Sequence, residues 1–422
     1  MSKILDWVYQ PFAAYPDKTE RLVYFLIFLF PIAGMSVKHW ITNIFNLLVL
    51  ASLFTLRRPR KPLLKQEKTF LWICVAYFSM FLISSFANGW EQEQTYHLGT
   101  ELRFLLVIPL YLLLRRYENC TKWLIRGAIV GGFILFAQAF YDIAILEFDT
   151  ARGVYSKNII GPSAVLVSFW SLYYLWENVK TINIYTLFFT ILSIILALTT
   201  VGLSGSRGAY VAFLLTATAC ILFFSKPRWM FLSIAAAIIT SIVLYQNVSI
   251  VKDGVDTAAK EIPNYFNAKD HTKSRSSTTS TGIRLEMFRT GVSVVRDNPI
   301  IGIGPGNYNR TIKNYIKDGK AHPKLGGFKY PHNTFLEVLT AKGFIGLLTV
   351  LLIFYYPAYL YIKGYKSSKN TAVIGLIQVT AMTGFSLTDH SVVLMNNYTS
   401  ILLLALAIFL SSHLRSTSTQ SK

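Results

Sequence analysis

Long apolar runs recur along the chain, parted by short polar or charged stretches, and this alternation predicts a bundle of helices. The runs fall near residues 22–36, 39–56, 69–88, 102–115, 122–145, 159–177, 182–203, 208–225, 229–246, 333–361, 371–388 and 394–412, which makes twelve. Most approach the roughly 20 residues that cross a hydrocarbon core. One polar stretch, 247–332, breaks the rhythm. The chain therefore reads as an all-α polytopic membrane protein in three parts: helices one to nine over 1–246, a large loop over 247–332, and helices ten to twelve with a tail over 333–422.

Charge orients the bundle. With the N-terminus placed in the cytoplasm, the inside loops hold "RRPRKPLLKQEK", "RRYENCTKWLIR", "SKPR" and "KGYKSSK". The outside loops "ANGWEQEQTYHLGTE" and "DIAILEFDTARGVYSKN" are poor in Lys and Arg. Positive charge on the inside is the usual topology signal, and it puts both termini in the cytoplasm and the large loop outside. Within that loop the Ser/Thr/Lys-rich stretch 269–282 is expected to be mobile. Order returns at "IRLEMFRTGVSVVRDNP", where Ile283, Met287 and Val294 share one helical face and Arg289 and Arg296 the other. "IIGIGPGNYNR" then reads as a glycine-punctuated turn region, with short helices capping the membrane domain.

Composition agrees with this picture. The chain is 53% hydrophobic and 15% charged, with mean hydropathy +0.43. Soluble domains carry about 25% charged residues. The net charge of +20 sits mainly in the inside loops, so it faces anionic lipid rather than nucleic acid. No small-residue cleavage site follows the first apolar run, so no removable signal peptide is expected. Three cysteines, Cys74, Cys120 and Cys220, show no zinc-like spacing, and HExxH, GxSxG and P-loop signatures are missing. The acid pairs in "WEQEQ" and "LEFD" have no histidine nearby in sequence, and no metal or other cofactor is expected.

The candidate chemistry gathers at the outer face. His332, in Tyr330-Pro331-His332-Asn333, stands where the large loop re-enters the membrane. Arg207 lies in the tight outside turn of "VGLSGSRGAYVAF", and Arg284 opens the amphipathic segment of the large loop. Taken singly, each has an ordinary reading: an interfacial histidine or a solvated arginine. Together they suggest more. A guanidinium grips phosphate oxygens with a bidentate fork, and a neutral histidine can take a proton from a hydroxyl. That combination suits group transfer from a lipid diphosphate. Asn333 either orients His332 or caps the following helix. Asp389, before His390 at the outer end of the eleventh helix, either touches the acceptor or is merely solvated. Arg103, at the start of the fourth helix, either snorkels or lines a lipid groove.

Three stretches carry a family resemblance: "SGSRGAY", "GIRLEMFRTGVSVVRDNPIIGIGPGNY" and "PHNTFLEVLTAKGFIGLL". Over about residues 196–350 the sequence resembles the O-antigen ligase and Wzy-like polymerase superfamily of bacterial glycosyltransferases. The resemblance implies a GT-C-like membrane fold and a metal- and ATP-independent transfer of a glycan from undecaprenyl diphosphate, on the periplasmic side of a Gram-negative inner membrane. In the ligases the acceptor is lipid A-core. Carried over by motif, His332 is the essential histidine and general base, and Arg207 and Arg284 hold the donor diphosphate. Arg289, Asn333 and Asp389 stand as supporting candidates. The length of the chain and its single late loop favour a ligase. A polymerase that extends another lipid-linked unit, a protein O-oligosaccharyltransferase and a transporter that breaks no bond remain as alternatives.

Overall fold

The computed structural model describes residues 15, 17–34, 37–55, 61–224, 246, 249–389 and 391–420. Among these every regular element is helical. In order they are α1 (Lys18–Leu29), α2 (Trp40–Leu53), α3 (Lys65–Ala87), α4 (Gln92–Glu101), α5 (Arg103–Leu114), α6 (Cys120–Ala144), α7 (Lys157–Asn178) and α8 (Ile184–Ser204). There follow α9 (Arg207–Phe224), α10 (Ser249–Phe266), α11 (Gly282–Asp297), α12 (Tyr308–Lys317), α13 (Thr334–Lys363), α14 (Lys369–Thr388), α15 (Ser391–Leu394) and α16 (Asn396–Gln420).

Eight helical runs among the described residues are long and apolar enough to cross a membrane: α3, α4 with α5, α6, α7, α8, α13, α14 and most of α16. This is a multi-pass membrane protein. Of the twelve expected segments, 229–246 lies outside the described residues except for 246. Three others form shorter helices. The 14 residues of α2 rise only about 21 Å, short of a roughly 30 Å core. The 12-residue α1 ends in a wide turn at Phe30–Gly34 that contains Pro31. The segment expected over 208–225 is α9, whose apolar part is Arg207–Leu222. The stretch "WEQEQTYHLG", expected as a loop, is the helix α4. Gln94 Oε1 accepts from the Glu91 amide at 2.8 Å and so caps its first turn, a local device that hydropathy does not register.

Burial separates central helices from peripheral ones. α16 is apolar on every side, and Ile401 through Leu410 are all buried, as expected of a helix surrounded by others. α8 exposes the stripe Ile184, Phe188, Ile191, Ile195 and Leu198, one face at helical spacing that suits contact with lipid. Arg103 turns inward and joins α5 to α16: its Nη1 donates to Asn396 Oδ1 at 2.6 Å and its Nε to Ser400 Oγ at 3.0 Å.

The cap, α10 to α12, has a small core of its own around Met287, Val294, Tyr308 and Ile312. The face Ile283, Met287 and Val294 read from the sequence is buried there. The cap is anchored by an interruption in α13. Gly343 has φ +68° and ψ −167°, outside the helical range, and opens a break in the helix. The chain from Pro299 to Gly304 enters it: the Ile303 and Gly304 amides donate to the carbonyls of Thr340 and Ala341 at 3.0 Å, and the Phe344 amide donates to Pro299 at 2.8 Å. Ser84 Oγ, on α3, lies 2.7 Å from the carbonyls of both Ile301 and Ala341. The glycines of "GIGPG" thus serve backbone docking, with Gly302, Gly304 and Gly306 all at positive φ.

Candidate functional site

At the cap end of the bundle a cavity of about 470 Å³ is lined by Arg207, Arg284, His332 and Asp389, with Lys157, Asn158 and Ser280 beside them. Each side chain is placed by a local device. α8 ends at Gly205, in the left-handed region at φ +57°, so the chain reverses within "SGSRG" and α9 starts at Arg207. Ser206 Oγ accepts from the Ala209 amide at 3.4 Å and caps α9 weakly. A Cβ on Gly208 would stand 2.7 Å from Thr388 Oγ1, so glycine there lets the start of α9 lie directly against the end of α14.

His332 is half buried, its ring edge-on to Phe328 at 5.8 Å between centroids. The residues after it are stitched to α14. Asn333 Oδ1 accepts from the Leu336 amide at 2.9 Å, capping α13, while its Nδ2 donates to the Leu387 carbonyl at 2.9 Å. Thr334 Oγ1 donates to the Asp389 carbonyl at 2.7 Å. Asn333 therefore caps the helix and fixes the histidine segment at the same time. The Asp389 carboxylate accepts from the Ser391 amide at 2.8 Å, from the Ser391 hydroxyl, and from Asn158 Nδ2 at 3.3 Å. Asn158 Oδ1 in turn accepts from Ser206 Oγ at 3.3 Å, which links α7 to the Arg207 turn.

The two arginines meet over one serine. Arg207 Nη1 donates to Ser280 Oγ at 2.9 Å. Arg284 Nη1 donates to the Ser280 carbonyl at 2.9 Å and lies 3.4 Å from its Oγ. Burial lowers the Arg284 pKa and the neighbouring Arg207 charge lowers it further, against the opposing pull of Asp389 and Glu261. Two cations held this close favour an anion between them. Burial also lowers His332 below its ordinary 6.5; Asp389 opposes that shift and Arg284 adds to it. The imidazole is thus neutral at physiological pH and able to accept a proton. The helices α7, α9, α11 and α13 all begin at or beside this cavity, so their positive dipole ends add to its attraction for anions.

The structure brings Arg207, Arg284, His332 and Asp389 together and places Asn333 directly behind them. Arg289 is placed elsewhere. It forms a two-point pair with the buried Glu286, at 2.6 and 2.9 Å, and donates to the Lys320 carbonyl at 2.9 Å, within the body of the cap. His390 lies outside the described residues. The stretch 269–282, expected to be mobile, folds into hydroxyl-bonded turns: Ser277 Oγ donates to the His271 carbonyl and Thr279 Oγ1 accepts from the Gly282 amide. Small hydroxyl side chains that bond their own backbone do here what apolar burial does elsewhere, and the turn delivers Ser280 to the arginines. Sequence reasoning passed over Ser280, Asn158 and Lys157. "SKN" at the head of an apolar run was the one available signal for the last two.

Fold and site together define a multi-pass helical membrane protein with a cationic, histidine-bearing cavity beneath a cap at one end of its bundle. Residues 192–351 match the family model described as O-antigen ligase, and over that stretch the chain carries the domain of the O-antigen ligase superfamily. The match includes the Arg207 turn, the cap and the first half of α13. The chain is also similar to an uncharacterized protein of Haemophilus influenzae, 23% identical over 330 residues, which cover 75% of this chain and 79% of the relative.

Proposed function

We propose that the protein is a polysaccharide ligase that moves a glycan from undecaprenyl diphosphate to lipid A-core at the periplasmic face of a Gram-negative inner membrane, without metal or ATP. The observation that carries this reading is the meeting of His332, Arg207 and Arg284 on one cavity, from three elements far apart in sequence. Arg207 and Arg284 grip the donor diphosphate. The neutral imidazole of His332 takes the proton of the acceptor hydroxyl as its oxygen bonds to the anomeric carbon. The bond from that carbon to the diphosphate oxygen breaks with its electron pair, and the arginines stabilise the departing charge. Asp389 faces the imidazolium so formed and stabilises it. The family match supports a ligase or polymerase chemistry, and the acceptor separates the two.

The test uses purified protein with undecaprenyl-diphosphate glycan and two competing acceptors, lipid A-core and a second lipid-linked glycan. Product on lipid A-core that disappears in His332→Ala is the expected result. Elongated lipid-linked glycan makes the protein a polymerase. Donor binding with no product from either acceptor makes it a transporter and removes the catalytic role of His332.

A further inference from the structure

Building on that function, we infer that Lys157 is a third phosphate-binding cation, matched to the charge that appears on the diphosphate as it leaves. Lys157 is the first residue of α7 and lines the cavity next to Asn158, which bonds both Ser206 and Asp389. It is exposed, and among the described residues it makes no hydrogen bond or ion pair.

Charge balance makes the argument. Arg207 and Arg284 supply two positive charges. Asp389 lines the same cavity, and Glu261, just outside it, accepts from the Thr281 amide at 2.8 Å and acts electrostatically on both arginines. These two carboxylates offset part of the charge of the two guanidiniums, and Lys157 adds a positive charge to the face a ligand meets. A glycosylated diphosphate carries two negative charges. When its bond to the sugar breaks, the electron pair stays on the terminal oxygen and the free lipid diphosphate carries three, while His332 gains one proton and one positive charge. Lys157 and protonated His332 are the groups that tilt the site toward the product-like anion. A flexible ammonium at the head of a 22-residue helix can follow the oxygen as it moves away, which the two arginines, both bonded to Ser280, are less free to do.

The test compares binding of two lipids in the absence of acceptor: the glycosylated donor and free undecaprenyl diphosphate. Lys157→Met is expected to weaken the free diphosphate about tenfold, the donor distinctly less, and to lower kcat with little change in the KM for acceptor. Lys157→Arg is expected to restore most of the loss. Wild-type binding and kcat in Lys157→Met overturn the inference, and so does equal weakening of both lipids, which assigns Lys157 to general attraction. Failure of the wild-type protein itself to bind either lipid, with Arg207→Ala no different, overturns the functional reading beneath it instead.

Discussion

Arg207 and Arg284, from helices α9 and α11, converge on the hydroxyl of Ser280 at 2.9 and 3.4 Å. Both guanidiniums keep donors in reserve, because a serine satisfies only a small part of their five N–H groups. Replacing either with Ala is expected to weaken binding of undecaprenyl diphosphate by about ten- to a hundredfold, the range for a lost charge-assisted bond. Arg207→Lys should fall between wild type and Ala, because an ammonium keeps the charge and loses the fork. Calorimetric titration with the lipid in detergent checks this, and unchanged thermal unfolding shows that the fold is intact. Diphosphate binding that survives Arg207→Ala unweakened removes this residue from the site.

The environment of His332 fixes the shape of the pH profile. Its pKa lies below 6.5, and the base form is the active one, so kcat/KM should rise with pH through a value under 6.5 and level off by neutrality. The neighbours set opposite signs. Arg284→Gln removes a charge that lowers the pKa, so the acid limb moves to higher pH; Asp389→Asn removes one that raises it, so the limb moves to lower pH. His332→Ala should cost about a hundred- to ten-thousandfold in kcat. Acid limbs that stay fixed in both neighbour variants would show that the limb reports some other group.

Gly343 is a backbone requirement rather than a site residue. At φ +68° and ψ −167° it occupies a region essentially reserved for glycine, and a Cβ there would sit 2.2 Å from the Ile300 carbonyl oxygen. Gly343→Ala is expected to cost on the order of 3 kcal/mol or more, because strain and overlap add. It should lower the unfolding temperature in detergent and make the cap more open to limited proteolysis. A neutral effect on both measures would mean that the break in α13 relaxes without penalty.

How much of this the sequence revealed depends on the kind of signal. Apolar periodicity located the helices, and it put Ile283, Met287 and Val294 on the inner face of α11. It could not tell α16 from α8: an apolar stripe reads alike whether it meets protein, as at Leu402, or lipid, as at Phe188. The polar helix α4 was missed because its start depends on one side chain, Gln94, and its burial on tertiary contacts such as Gln94 Nε2 with the Pro305 carbonyl at 2.8 Å. At the site, Arg207, Arg284 and His332 stood out through residue type and motif. Arg289 stood in the sequence as a supporting candidate beside Arg284, and only the buried Glu286, three residues before it, shows where its charge is spent. Ser280 gave no signal, because a serine among serines acquires its role only when the chain folds it beneath two arginines.

A last prediction concerns the buried pair that holds α13 against α4. Lys342, next to the break at Gly343, donates to Glu101 Oε1 at 2.5 Å with both side chains almost wholly buried, and its ammonium lies 3.9 Å from the centre of the Tyr77 ring. Glu337, one turn before, is also buried, and neither of its carboxylate oxygens has a hydrogen-bond partner among the described residues. The ammonium pairs with Glu101, and Glu337 lies near it without a hydrogen bond. Lys342→Met removes the ammonium and leaves the buried Glu101 without its partner, at an expected cost of about 3–5 kcal/mol. Glu101→Gln should cost less, because the amide oxygen can still accept from the ammonium, which also rests on the Tyr77 ring. Glu101→Gln combined with Lys342→Met should recover part of the loss, because a buried charge without a partner is costlier than a neutral pair. Thermal unfolding of the three variants in detergent reads the order directly. A Lys342→Met protein no less stable than Glu101→Gln would overturn the central place given to this lysine. The consequence reaches the cavity, because the two turns of α13 between Asn333 and Lys342 join this pair to the segment that carries His332.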